Sequence, residues 1–187
     1  LHYWGTEAGQ QLWQKLFNAI PQGSTFNMGT DMEVFVDFAY GYVPKVTKRN
    51  RNNLYNKYLE PKVGELKEYK PILLQNIETF QPDIIVPMHS LATKQVMGSS
   101  QITQVRGKPE KLKFGNHECW VLSTFSMDAV QVVKKNEPLQ DIDLNLIMRF
   151  LAEGETTFIS DSVKYVTLTN NDYDEIIRLL SDLVAKK

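Results

Sequence analysis

Apolar residues recur along this chain with two periods, which sort most of it into helices and strands. Leu12, Leu16, Phe17 and Ile20 are spaced three and four apart, the pattern of a helix with one core-facing side. Thr6 can cap that helix, and Pro21 with Gly23 ends it near Ile20. From Glu33 to Tyr40, Val34, Val36 and Phe38 alternate with Glu33, Phe35 and Asp37, predicting a strand with at least one buried face. Glu60-Pro61 opens a long helix to about Phe80, with Pro71 inside it. Asp83 to Met88 reads as a buried strand, His89-Ser90 as a tight loop, and the residues up to Gly98 as a short amphipathic helix. Leu112 to Phe114 and Cys119 to Ser123 are short strands around the turn Gly115-Asn116. Ile142, Leu146, Ile147, Phe150 and Leu151 mark a helix over Asp141 to Glu153, ended by Gly154.

After Gly154 the pattern changes. Glu155 to Ser162 is polar without a clear period and reads as a linker. Val163 to Thr169 is then a strand, and Asn171 to Lys187 a capped helix. One strand and one helix bury too little apolar surface to stand alone. They are expected either to dock on the preceding domain or to open a further one, so the chain divides into 1–154 and 155–187.

Composition narrows the function classes. The 187 residues carry a formal net charge of -1, which excludes a uniformly basic nucleic-acid binder but leaves room for a local basic patch. The single Cys119 excludes internal disulfides and any four-cysteine cluster. One cysteine and the three scattered histidines, His2, His89 and His117, do not make a four-ligand zinc site. No run is long and apolar enough to span a bilayer, and no cofactor is implied. The chain opens at Leu1 without a methionine or a signal-like segment, which reads as a trimmed or excised piece of a longer protein.

Candidate chemistry gathers in two places. The strand–loop–helix unit of Pro82 to Gly98 puts His89 and Ser90 beyond a strand's carboxyl end, where open α/β sheets hold ligands. Arg106-Gly107 and Lys108 follow, a cation beside a residue that lets backbone approach a partner closely. That layout fits a phosphate-bearing ligand. The second place is the polar stretch Gly41 to Asn56, where Lys45, Lys48, Arg49 and Arg51 can contact phosphates or form a solvated loop. Asp37, Asp128 and the pair Asp141/Asp143 could suggest a metal site, but strand-end and N-cap carboxylates account for them. Of the tryptophans, Trp4 is the candidate for an exposed contact.

The run IIVPMHSLATKQVMG, followed by ITQVRG and STFSMDAV (Ser123 to Val130), resembles the second half of the uracil-DNA glycosylase superfamily, especially its bacterial and archaeal iron–sulfur type. KPILLQNIETFQPDIIV matches the same family's helix-to-strand join, and EAGQQLWQKL and VPKVTKRNRNN fit more loosely. The resemblance runs from Glu7 to Gly154. It implies a three-layer α/β fold with a mainly parallel central sheet flanked by helices, and DNA contact by Arg106, Gly107, Lys108, His89, Ser90 and Ser126 together with the basic loop.

It also implies that the catalysis is lost. The family's Gly-Glu-Ala-Pro-Gly loop, due before Glu7, is absent, and its uracil-reading Asn falls near Phe38. Ser126 and Met127 replace the catalytic His-Pro, and Tyr69 stands near the place of a cluster cysteine. A base-excising enzyme must hold the flipped base's edge and stabilise a leaving anion; Phe38 and Ser126 supply neither amide nor imidazole. The segment YVTLT with the helix DEIIRLLSDL is similar to the lead-in to the proofreading exonuclease domain of family A DNA polymerases. Together the two resemblances imply a glycosylase-like region ahead of exonuclease and polymerase domains in a phage-type polymerase, acting in host cytoplasm by DNA engagement or scaffolding. The alternative is an active uracil-DNA glycosylase truncated at its N-terminus. A third reading is an interaction module whose basic loop and exposed aromatics bind a protein partner.

Overall fold

The computed structural model describes residues 3–37 and 63–160. A 3-10 turn, Tyr3–Gly5, leads into α1 (Glu7–Asn18), and α2 (Val63–Phe80) precedes β1 (Ile84–Ile85) and α3 (Ser90–Met97). There follow α4 (Ile102–Val105), β2 (Glu110–Phe114), β3 (His117–Val121) and α5 (Met127–Val132). After a second 3-10 turn, Lys134–Asn136, come α6 (Glu137–Glu153) and α7 (Thr156–Ser160).

The strand order is β1-β3-β2. β1 runs parallel to β3, with Ile84 opposite Trp120 and Ile85 opposite Val121. β2 and β3 form an antiparallel hairpin, Leu112 opposite Cys119. Among the described residues the sheet is therefore mixed, where a mainly parallel one was expected, because the turn Gly115-Asn116 is too short for anything but a hairpin. Parallel pairing persists beyond β1, since the Thr124 amide donates to the Pro87 carbonyl at 3.0 Å. This carries the register to the carboxyl ends of both strands.

Helices cover both faces of the sheet. Side chains alternate along a strand, so Trp120 and Leu122 join Leu12, Leu16, Leu144, Ile147 and Met148 in one core cluster, under α1 and α6. Cys119 and Val121 join Leu73, Ile77, Val96 and Phe114 in the other, under α2 and α3. The α1 cap forms as the sequence implies: the Thr6 hydroxyl accepts from the Gly9 amide at 3.1 Å. Gly98 closes α3 in the left-handed conformation, φ +79.

Several expectations change. Glu33–Asp37 has no strand structure, and Val34, Phe35 and Val36 are exposed. The stretch leans on α2 instead: Phe35 stacks on Phe80 with ring centroids 3.8 Å apart, and Asp37 accepts from Tyr69 and Asn76 at 2.9 Å each. Phe17, assigned to the buried face of α1, is exposed, and so is Ile142 on α6. The helix faces the core with Gln140, Asp143, Leu144 and Ile147, which turns Ile142 outward because a residue one place along points roughly 100° away. The stretch read as a linker is helical over Thr156–Ser160, and its Phe158 is buried between Phe150 and Trp120, at 4.5 and 5.1 Å. Phe38, the basic residues Lys45, Lys48, Arg49 and Arg51, the strand of 163–169 and the helix of 171–187 lie outside the described residues.

Candidate functional site

Four segments meet beyond the carboxyl ends of β1 and β3: Pro87 to His89 after β1, Leu122 to Ser126 after β3, Arg106-Gly107 after α4, and Leu139 to Asp143 on α6. This is the place where an open α/β sheet accepts ligands.

At its centre is a buried ion pair. Arg106 Nη2 donates to Asp143 Oδ1 at 2.6 Å and Nε to Oδ2 at 3.0 Å, the parallel two-bond geometry that a guanidinium and a carboxylate favour. Nη2 also reaches the Leu139 carbonyl at 2.7 Å, and the Thr124 hydroxyl gives Asp143 Oδ2 a third donor at 2.7 Å. Asp143 is fully buried, and the Arg106 side chain only 16% exposed. Burial pushes the Asp143 carboxyl above the ordinary aspartate range, while Thr124 and Arg106 pull it back. The guanidinium lies 5.6 Å from the centre of the Phe125 ring.

Gly107 makes the close approach possible. Its amide donates to the Ser123 carbonyl at 3.0 Å, and its φ is +67. A Cβ at that position would sit 2.7 Å from Asp143 Oδ1, inside van der Waals contact, so glycine is required twice over. Beside it the Ser123 and Thr93 hydroxyls are 2.8 Å apart, and Ser123 donates to the Pro87 carbonyl at 3.2 Å. Gln140 Nε2 donates to the Phe125 carbonyl at 2.8 Å, while its buried Oε1 has no hydrogen-bond partner among the described residues, which carries a desolvation penalty.

The structure spends most of the anticipated contact groups internally. His89 is the N-cap of α3: its Nδ1 accepts from the Leu91 amide at 3.2 Å, which leaves the ring proton on Nε2. Ser90 is the first residue of that helix. Ser126 caps α5 by accepting from the Ala129 amide at 3.2 Å. Lys108 alone of this group is exposed with no ion-pair partner among the described residues. Asp143 belongs to neither a metal site nor a helix cap, the two roles considered from sequence. Its phase shows why: it lies on the side of α6 that carries Leu144 and Ile147, so an acid there has to meet a buried cation. Asp141 instead pairs at the surface with Lys15, at 2.6 Å.

Two hollows lie elsewhere, both lined in part by Trp13. One, of about 450 Å³, is lined by Trp4, Gln10, Trp13, Met32 and Val34; the other, of about 480 Å³, extends along Phe17, Phe26 and Met28. Trp13 is more exposed than Trp4, whose ring meets it edge-on at 5.2 Å. Among the described residues no group of three or more His, Cys, Asp or Glu could hold a metal ion, and no helix is long and apolar enough to cross a membrane. Comparison with protein-family models and with curated proteins gives no match to this chain.

Proposed function

We propose that this chain is a catalytically silent, uracil-DNA glycosylase-like domain of a phage-type DNA polymerase, serving DNA engagement or the scaffolding of neighbouring exonuclease and polymerase domains. The observation that carries the reading is the fate of the loop after β3. Where base excision would need an imidazole facing the leaving base, Ser126 is turned back on its own helix as a cap, and Thr124 is bound to Asp143. Helices on both faces of a sheet, with the candidate cluster at the strand ends, accord with a glycosylase-like arrangement.

Between the two roles, the inward commitment of Arg106 and His89 favours scaffolding at this face. DNA contact would then rest on Lys108 and on the basic residues Lys45, Lys48, Arg49 and Arg51. Incubation with uracil-containing single- and double-stranded DNA, followed by alkaline cleavage of abasic sites, should give no strand breaks. Breakage at uracil would overturn the proposal. Fluorescence anisotropy across a salt series separates the roles. If the basic loop grips DNA, replacing Lys48, Arg49 and Arg51 by alanine flattens the log–log salt slope by about two to three units. A scaffold shows no affinity even at low salt.

A further inference from the structure

The segment between α3 and β2 is attached to the rest of the protein in an unusual way. No residue of 98–109 is buried, although the end of β3 and the residues that follow it, Val121 to Phe125, are. Its own hydrogen bonds are local: Ile102 N to Ser100 O, Val105 N to Gln101 O, Arg106 N to Ile102 O and Lys108 N to Val105 O. Among the described residues, every hydrogen bond that leaves 99–109 comes from two neighbours. Arg106 makes three, to both Asp143 oxygens and the Leu139 carbonyl, and Gly107 makes one, to the Ser123 carbonyl. At the other end Gly98 sits at φ +79 with no atom within 4 Å of the place a Cβ would take.

We infer that residues 99–109 form a strap that opens as a unit, hinged at Gly98 and latched on Asp143 by the Arg106-Gly107 pair. Local opening is governed by how few buried contacts a segment must break. Here Arg106 is the one side chain that must leave a buried pair, and it belongs to a two-residue latch. Underneath are four polar side chains with no exposure at all: Thr93, Ser123, Thr124 and Asp143. Lifting the strap bares the Asp143 carboxylate and the Leu139 carbonyl on α6, and the Ser123 carbonyl beyond the end of β3. The strap therefore gates an acceptor-rich crevice that is closed in the latched state. This inference stands on the geometry alone and does not depend on the proposed function.

Amide hydrogen exchange of the whole chain, followed by mass spectrometry, tests it. The protection factor of Gly107, the strap amide that bonds outside the strap, is compared with those of β3 and α6 as urea is raised below the unfolding transition. A strap exchanges through an opening with a weak urea dependence, while β3 and α6 exchange with the steep dependence of global unfolding. Arg106→Lys keeps the charge and loses the fork, and should lower strap protection by at least tenfold with β3 and α6 less affected. Strap amides that follow β3 and α6 with the same urea dependence in the unaltered protein would overturn the inference, and this arm needs no variant to fold. An Arg106→Lys protein with unchanged strap protection would overturn it as well.

Discussion

Removing the Asp143 carboxylate is the most demanding test of the buried network. In Asp143→Ala, the Arg106 guanidinium loses two charge-assisted bonds, at 2.6 and 3.0 Å, and keeps only the Leu139 carbonyl. With the side chain only 16% exposed, water restores little of this. Breaking a buried pair from one side costs about 3–5 kcal/mol. Thr124, fully buried, loses its acceptor as well, a further penalty of about 1–3 kcal/mol if it finds no other. The expected loss is therefore at least about 3 kcal/mol, read as a lower urea midpoint at unchanged m-value.

Two comparisons isolate the cause. Asp141→Ala removes a surface partner of Lys15, with side chains 19% and 46% exposed, and should cost under about 1 kcal/mol. Replacing both members of the buried pair, as Arg106→Met with Asp143→Leu, removes both desolvated charges and should recover much of the loss. If Asp143→Ala costs no more than Asp141→Ala, the reasoning fails, because the pair would then be behaving as a solvated one.

Three further outcomes are expected. Gly107→Ala should cost at least about 1–2 kcal/mol from backbone conformation alone, and more than Gly98→Ala, since only at Gly107 would the new Cβ meet Asp143, 2.7 Å away; equal urea midpoints for the two variants would contradict this. Phe158→Ala should cost about 3–5 kcal/mol, because its ring fills the space between Phe150 and Trp120, whereas a loss below about 1 kcal/mol would return residues 156–160 to the status of a linker. Burial, helped by Asp83 and Glu118, raises the Cys119 thiol to about 11 from 9.0. The unfolded chain then loses this proton first, so the thiol's contribution to stability is whole below about 9 and is lost as pH rises to about 11; thiol titration should find native Cys119 unreactive at pH 8, and stability between those values should fall less in Cys119→Ala than in the parent.

Sequence alone determined the elements whose signals are local. The Thr6 cap, the Gly98 stop, the hairpin about Gly115-Asn116 and the strand–loop–helix unit after Pro82 each rest on residues within a few positions of one another, and each forms, although the strand of that unit is Ile84–Ile85 alone, Ser90 already belongs to its helix, and β3 runs His117–Val121 and not Cys119 to Ser123. The two covered faces were implied by the resemblance and not by the pattern; in the structure Cys119 and Val121 pack on one side and Trp120 and Leu122 on the other. Arg106-Gly107 stood out from its residue types alone; the fold places it at the strand ends, where Arg106 pairs with buried Asp143.

What only the tertiary structure decided is what each group touches. Asp143 lies 37 residues from Arg106 in the chain, so no spacing rule joins them, and α6 had to dock before the acid could meet the guanidinium. The same docking turned Ile142 outward and brought Phe158 into the core. Glu33–Asp37 alternates like a strand, yet it packs its Phe35 on Phe80 and its Asp37 on Tyr69 and Asn76. Period specifies which face a residue shares with its neighbours; the partner for that face is set by contacts between segments far apart in the chain, and those exist only once the chain has folded.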